Sequence, residues 1–238
     1  ACIAIQSNQN DQHGGQSVPN FDYGMAPGVR KTYKKLYWTN LGKMIDFLQD
    51  REDGVAYVKE LGKKIEEEYG AVPCMAWDNN YKELELEELK TIVSEKEALH
   101  MQERATKFAD IEIRRKTYQA MEALVHNLNT MHSRAGAQVP FSSINYGTDT
   151  SPEGRLVMES VMLATEAGLG NGETPIFPIQ IFKVKEGISY NPGDPNYDLF
   201  KLACRVSAKR LFPNFSFLDA PFNLKYYKEG DYDTEVAY

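Results

Sequence analysis

The sequence predicts an α/β fold in which parallel strands are joined by crossover helices, with a region of long helices inserted between them. Three observations carry this reading. Short β-branched runs alternate with amphipathic runs of helical length through the C-terminal part of the chain. No glycine or proline interrupts the stretch from Cys74 to Ala135. The chain opens on a short apolar run, Cys2-Ile3-Ala4-Ile5, before a polar loop. Strands separated by helix-length connections pair in parallel, because only tight hairpins join antiparallel neighbours directly.

Taken in order, residues 2–5 read as the first strand, and Gln6 to Asn20 as a polar loop holding Asn8, His13, Gly14 and Gly15. After Pro27-Gly28, apolar residues recur at Val29, Tyr33, Leu36, Leu41, Ile45 and Leu48, mostly three to five apart, as on one face of a helix. A second helix follows through Val55, Val58, Leu61, Ile65 and Tyr69 and ends at Gly70, the residue that most easily closes a helix. The glycine-free stretch has an acidic helical part (Leu84, Leu86, Leu89, Ile92, Val93, Leu99) and a part of clear three-four spacing (Tyr118, Met121, Leu124, Val125, Leu128, Met131) before Gly136. A helix of about 25 residues reaches about 37 Å at 1.5 Å per residue, long for covering one small sheet. Such helices pack on each other and on a second copy as a four-helix bundle, or stand solvated within a monomer.

Beyond Gly136, Gln138 to Tyr146 is strand-like, and Ser151-Pro152 is an N-cap followed by proline at the first helical position. A helix through Leu156, Val157, Val161 and Ala164 ends at Gly168. Ile176 to Val184 reads as a buried strand, Asp194-Pro195 opens a helix that stops before Pro213, and Asn214 to Leu218 is a fourth strand. Tyr226 to Gly230 reads as an exposed turn or hairpin entry. The expected organisation is 1–27, a first strand and polar loop; 28–136, a helical region; and 137–238, a βαβαβ part.

The 238 residues are 42% hydrophobic and 26% charged, an ordinary globular balance that argues against disorder. The net charge of −7 disfavours a nucleic-acid polymer as partner, though not a local grip on a small nucleotide. No run approaches the ~20 apolar residues of a membrane span. The three cysteines, Cys2, Cys74 and Cys204, are too few and too scattered for a disulfide framework or a zinc site, so a cytoplasmic setting is expected. The start without Met and the run Glu235-Val236-Ala237-Tyr238 suggest a piece of a longer polypeptide.

In parallel α/β sheets, ligands collect at the C-terminal ends of the strands. That rule singles out the loops Ser7–Gln16, Ser143–Ser151, Lys185–Asp194 and Asp219–Asn223. Ser142, Ser143, Asn145, Thr148, Asp149, Thr150 and Ser151 lie just before a helix N-terminus, a setting for a phosphate or sugar and equally for a well-capped turn. Familiar catalytic sets are absent: the four histidines are scattered, with no HExxH pair. Gly168 to Gly172 lacks the Gly-Lys-Ser/Thr ending of a phosphate loop and reads as a connection. His13 is the histidine placed in a candidate loop, where a polar structural role outweighs acid–base work. Arg114-Arg115-Lys116 is a cationic island, either a solvated face or a nucleotide-phosphate grip.

Several long runs together resemble one family. They are Gln12-His13-Gly14-Gly15-Gln16-Ser17-Val18-Pro19-Asn20-Phe21-Asp22-Tyr23 with Met25-Ala26-Pro27-Gly28-Val29, then the run from Gln138 to Thr150, then Gly172 to Gln180, and Phe212-Pro213-Asn214-Phe215. In this order they are similar to anaerobic (class III) ribonucleoside-triphosphate reductases over nearly the whole chain. The resemblance implies half of a ten-stranded α/β barrel and a long-helix dimerisation and effector region. It implies reduction of ribonucleoside triphosphates to 2′-deoxy forms, with formate as reductant and a glycyl radical installed by a radical-SAM activating enzyme.

It further implies a homodimer whose deoxynucleotide effectors meet the long helices, with Glu112, Arg115 and Lys116 as expected contacts. Asn8, His13, Gly14, Gly15, Ser142, Ser143, Asn145 and Ser151 are the expected substrate residues, and Cys2 is the expected second active-site cysteine. The radical-forming cysteine is expected beyond Tyr238, and the glycyl-radical segment and its zinc site are also expected outside the chain. The chain is therefore expected to be inactive alone. A stand-alone nucleotide-sensing module and another glycyl-radical enzyme are the alternatives.

Overall fold

The structure, a computed structural model, describes residues 1–11, 14–132, 139 and 141–226, apart from the side chains of 9–11. The elements in order are α1 (Cys2–Asp11), β1 (Gln16–Val18), α2 (Phe21–Gln49), α3 (Gly54–Tyr69), α4 (Tyr81–Leu89) and α5 (Glu95–Thr130). They continue with β2 (Ser142–Tyr146), α6 (Pro152–Ala167), β3 (Ile179–Val184), α7 (Tyr197–Arg210), β4 (Asn214–Phe217) and α8 (Pro221–Leu224). Two compact units result, Ala1–Ala26 with Thr117–Tyr238, and Pro27–Lys116. No helix among the described residues is long and apolar enough to cross a membrane.

The first unit holds a four-stranded sheet in the order β1-β2-β3-β4, parallel throughout. The register pairs Ser17 with Ser143, Asn145 with Ile181, and Lys183 with Ser216. Alternation along each strand therefore gives the sheet two chemically distinct faces. One carries Ile144, Tyr146, Gln180, Phe182, Val184 and Phe215. On it the Phe182 ring lies 5.9 Å from Tyr146 and 6.1 Å from Phe200 of α7. Tyr146 donates to Gln180 Oε1 at 2.7 Å, and Gln180 Nε2 donates to Thr165 Oγ1 of α6 at 2.7 Å. Tyr146 and Gln180 are thus satisfied on this buried face, as burial favours. The opposite face carries Ser17, Ser143, Asn145, Ile181, Lys183, Asn214 and Ser216.

The opening run is a correction. Residues 2–5 lie in helix α1, Cys2 included, and the first strand is Gln16–Val18, inside what reads as a polar loop. A four-residue apolar run has no intrinsic preference between strand and helix, and a strand exists only where a partner edge accepts it. Here Gln16–Val18 takes the edge of β2. The loop Ser7–Gln16 consequently precedes its strand, and Gly14-Gly15 stands at the N-terminal edge of the sheet. Pro19-Asn20 follows β1 at the C-terminal edge instead.

Other boundaries moved less. Helix α2 starts at Phe21 and keeps Pro27 inside it. α5 runs unbroken for 36 residues, about 54 Å at 1.5 Å per residue. Its start is a capping box: Glu97 Oε2 accepts from the Ser94 backbone N–H at 3.0 Å, while the Glu97 N–H donates to Ser94 Oγ at 3.4 Å. α6 is capped as the sequence indicates, Ser151 Oγ accepting from the Gly154 N–H at 3.1 Å. Gly70 closes α3 at φ +68°. The turn expected from Tyr226 to Gly230 lies, beyond Tyr226, outside the described residues.

In the second unit, α5 presents Ala98, Met101, Ala105 and Ala109 as a buried stripe. Gly62 of α3 lets the Trp38 indole lie against the helix, since a Cβ there would meet the ring at 2.4 Å. At the centre Glu85 is wholly buried; its Oε2 accepts from Tyr37 OH at 2.5 Å and Gln102 Nε2 at 2.9 Å. Burial raises the Glu85 carboxyl to about 7, outweighing the bonds from Tyr37 and Gln102 that hold it down.

Candidate functional site

The polar sheet face carries the features of a ligand surface. Asn145, fourth residue of β2, is fully buried, and among the described residues neither its Oδ1 nor its Nδ2 has a hydrogen-bond partner. A buried amide left unpaired costs about 1–3 kcal/mol, so such groups mark places where something else completes the bonding. Two strands away on the same face, Ser216 Oγ is likewise buried without a partner among the described residues. Beside it a cavity of about 550 Å³ runs along β4, lined by Ile181, Asn214, Ser216, Phe217 and Phe222.

Lys183 lies on this face between Asn145 and Ser216 and is fully buried. Its Nζ donates to Pro19 O at 3.0 Å and Asn20 Oδ1 at 2.8 Å, tying β3 to the turn after β1. The strand residues of the polar face include no carboxylate or imidazole among them. The chemistry on offer is neutral donation and acceptance beside one ammonium. That suits holding hydroxyl groups and does not suit general acid–base work.

The loop after β2 is built around an internal anion. Asp22, in the first turn of α2 and fully buried, accepts through Oδ2 from the backbone N–H groups of Gly147 (2.9 Å), Thr148 (3.2 Å) and Asp149 (3.1 Å). The donors that a phosphate would use in this loop are thus occupied by a side chain of the protein itself. From the other side, Asn196 Nδ2 donates to Gly147 O at 3.0 Å and Asp149 O at 3.1 Å. Arg155 holds Asn196 Oδ1 at 2.7 Å and Asp198 Oδ2 at 2.7 Å. Gly147 has φ +138°, and a Cβ there would meet Lys183 O at 2.4 Å, so the loop and β3 touch through a position only glycine fills. Burial pushes the Asp149 carboxyl up, helped by Asp22 and Glu153, against the opposing hydrogen bonds from Ser151.

The expected substrate residues separate into two groups. Ser143 and Asn145 share the polar face, and Ser151 caps α6 at the C-terminal edge. Ser142 is buried on the opposite, apolar face, its Oγ without a partner among the described residues. Gly14, at φ +110°, and Gly15 lie at the N-terminal edge, where a Cβ on Gly15 would meet Phe141 Cδ1 at 2.9 Å. Gly15 therefore lets β1 approach β2, and the Gln16 N–H donates to Phe141 O at 2.9 Å. Asn8 is exposed on α1, and His13 lies outside the described residues. The meeting of the loops Ser7–Gln16 and Ser143–Ser151 at one edge, expected from a first strand at residues 2–5, does not occur, because the strand begins after the glycines.

Glu112, Arg115 and Lys116 fall on one face of α5 in the second unit, three and four residues apart. A cavity of about 510 Å³ farther along α5 is lined by Lys82, Gln102, Thr106, Lys107 and Asp110. Cys2, Cys74 and Cys204 are free thiols, each raised by burial. Among the described residues no group of three His, Cys, Asp or Glu side chains is placed to hold a metal.

Sequence reasoning missed Asp22 and Lys183. The signal for Lys183 was a single lysine within the apolar run Ile179-Gln180-Ile181-Phe182-Lys183-Val184, since lysine in a central strand is rarely buried without a specific partner. Asp22 carried no such signal, because its donors lie 125 to 127 residues away.

The family model described as anaerobic ribonucleoside-triphosphate reductase matches residues 1–237. Curated relatives of that name include one from Escherichia coli K12, 39% identical over 101 residues, which is 42% of this chain and 14% of the relative. One from Haemophilus influenzae is 36% identical over 108 residues, 45% of this chain and 15% of the relative. One from bacteriophage T4 is 35% identical over 111 residues, 46% of this chain and 18% of the relative. The aligned part thus spans less than a fifth of each relative's length. With a match along almost its entire length, the chain belongs to the anaerobic ribonucleoside-triphosphate reductase family.

Proposed function

We propose that this chain is part of the catalytic subunit of an anaerobic reductase that converts ribonucleoside triphosphates to 2′-deoxyribonucleoside triphosphates, and that its polar sheet face holds the ribose. The observation that carries the reading is Asn145, a fully buried amide with an unmatched donor and an unmatched acceptor. A vicinal diol supplies both complements: one hydroxyl donates to Oδ1 and the other accepts from Nδ2. Ser143 on the same strand and Ser216 on β4 extend the neutral surface, and Lys183 holds the turn after β1 against it. Such a surface orients a sugar without offering a base that would divert a radical reaction.

In the whole enzyme a glycyl radical would oxidise a cysteine, and that cysteine would take the hydrogen from the ribose, with formate as the reductant. The radical-forming cysteine, the glycyl-radical segment and the zinc site lie outside this chain in this reading, and a radical-SAM enzyme is the activating partner. Alone the chain does not turn over. The same reading makes the sheet part of a ten-stranded barrel, and the second unit the dimerisation and effector region, with Glu112, Arg115 and Lys116 facing a deoxynucleotide.

Two experiments test this. Sequencing outward from the coding region should find a cysteine codon shortly after Tyr238 and a glycyl-radical motif farther on; a reading frame without both sinks the enzymatic reading. In the whole enzyme, Asn145→Ala should lower kcat/KM at least about tenfold, equivalent to ~1.4 kcal/mol of transition-state stabilisation. Unchanged kinetics would remove Asn145 from the ribose site.

A further inference from the structure

Both tryptophans of the chain, Trp38 and Trp77, belong to one aromatic cluster of the helical unit. Tyr37 is its centre, with ring centroids 5.0 Å from Trp77 and 6.2 Å from Tyr81. Tyr33 lies 6.1 Å from Trp77, and Trp77 lies 6.4 Å from Tyr81. Hydrogen bonds join the same side chains: Trp77 Nε1 donates to Tyr33 OH at 3.2 Å and Trp38 Nε1 to Tyr81 OH at 2.8 Å. Tyr33, Tyr37 and Tyr81 are all fully buried.

Hydrophobic packing accounts for the rings, but not for the placement of charge around them. Tyr37 OH donates to the buried Glu85 carboxylate at 2.5 Å, so the phenol has a proton acceptor already in line. The indoles have the opposite environment. Lys82 Nζ lies 4.0 Å from the centre of the Trp77 ring and Lys34 Nζ 5.1 Å from that of Trp38. A cation over an indole opposes positive charge on it, whereas a base beside a phenol favours loss of an electron, because the phenolic proton can leave at the same moment. Electron loss is therefore less favoured at the indoles than at Tyr37, whose phenol is bonded directly to the Glu85 carboxylate.

We propose that these residues form a redox relay in which an indole oxidised by a small one-electron oxidant is refilled from Tyr37, with Glu85 receiving the Tyr37 proton. The oxidant takes one electron from Trp77, the half-buried indole, and becomes its own reduced anion; the Nε1 proton passes to water and leaves an indolyl radical. Tyr37 returns one electron to Trp77, which takes a proton back from water, and the phenolic proton of Tyr37 crosses to Glu85 Oε2. The products are neutral Trp77, a neutral Tyr37 phenoxyl radical and a protonated Glu85. A thiol or ascorbate-class reductant then supplies one electron, and Glu85 returns the proton. The relay gathers an oxidising equivalent at one shielded tyrosine and away from exposed methionine and cysteine side chains. It stands independently of the nucleotide reading.

The test is pulse radiolysis of the whole chain with azide radical as the oxidant, at a mildly alkaline pH where Glu85 is ionised. The indolyl absorbance should decay as the phenoxyl absorbance grows, with one first-order rate that does not depend on protein concentration and that slows in deuterium oxide. Tyr37→Phe should abolish this phase while the indolyl radical still forms. Glu85→Gln should slow it about tenfold, equivalent to ~1.4 kcal/mol in the activation barrier. Indolyl decay without phenoxyl growth in the unaltered chain overturns the proposal whatever the variants do. So does an unchanged phase in a Tyr37→Phe chain whose near-ultraviolet circular dichroism shows native packing.

Discussion

Asp22 Oδ2 lies 2.9 Å from the backbone nitrogen of Gly147, a residue 125 positions later, and takes two further N–H groups from the same loop. One carboxylate thus joins the start of α2 to the turn after β2. Replacing it by Ala strands three buried donors, each costing about 1–3 kcal/mol. Asp22→Ala should lower the unfolding free energy by about 3 kcal/mol or more in urea titration. A loss below about 1 kcal/mol would mean that water replaces the carboxylate freely.

Gly147 makes a second prediction about the same loop. Its φ of +138° and the 2.4 Å approach of an added Cβ to Lys183 O leave no room for a side chain. Gly147→Ala should destabilise by about 2–4 kcal/mol, within the range for combined backbone strain and steric conflict. Gly170, which has open space where a Cβ would stand, is the control, and Gly170→Ala should change the urea midpoint little. Equal effects at the two positions would contradict the geometry.

Glu85 predicts a pH dependence with a definite sign. Its folded value of about 7 lies above the ordinary 4.5, so the folded state holds the proton more tightly than the unfolded chain does. The stabilisation is present in full below about pH 4.5 and is lost as pH rises through about 7. The change is on the order of 3 kcal/mol. The groups facing it are Tyr37 of α2, Tyr81 and Lys82 of α4, and Gln102 of α5. Subtracting the stability of Glu85→Gln from that of the unaltered chain across this range should leave a curve that falls with pH. A flat or rising difference refutes the assignment.

Asn145 should trade stability for binding. With both amide atoms unpaired in the unliganded chain, Asn145→Leu removes a desolvation penalty at nearly constant volume, and stability should rise by about 1 kcal/mol. A clear loss of stability on that substitution would show that the amide is satisfied by something other than a ligand.

How much of this was legible in the sequence varies by element. Ser151-Pro152 announced α6 and Gly70 the end of α3, because caps and stops act through neighbouring residues. Ser94 and Glu97 announced the start of α5 in the same local way, and reading them as a capping box would have placed the break between α4 and α5. The short runs were not legible. Cys2-Ile3-Ala4-Ile5 has the residues of a strand and lies in a helix, whereas Gln16-Ser17-Val18 has the residues of a loop and completes the sheet. Of the candidate site, Ser143 and Asn145 were visible as polar residues in a strand-like run, but their sharing a face with Lys183 and Ser216 depended on register.

The linear chain by itself determined the class of fold, the parallel βαβ rhythm, the long helical stretch and, through motifs that run along nearly its full length, the family. All of these are recorded in residues a few positions apart, where periodicity and capping operate. Only the tertiary structure decided which segment supplies the first strand, which atoms occupy the anion-binding loop, and which buried polar groups go without partners. Those outcomes depend on contacts between residues such as Asp22 and Gly147, whose meeting is dictated by strand pairing and burial across the whole sheet, which no local pattern records.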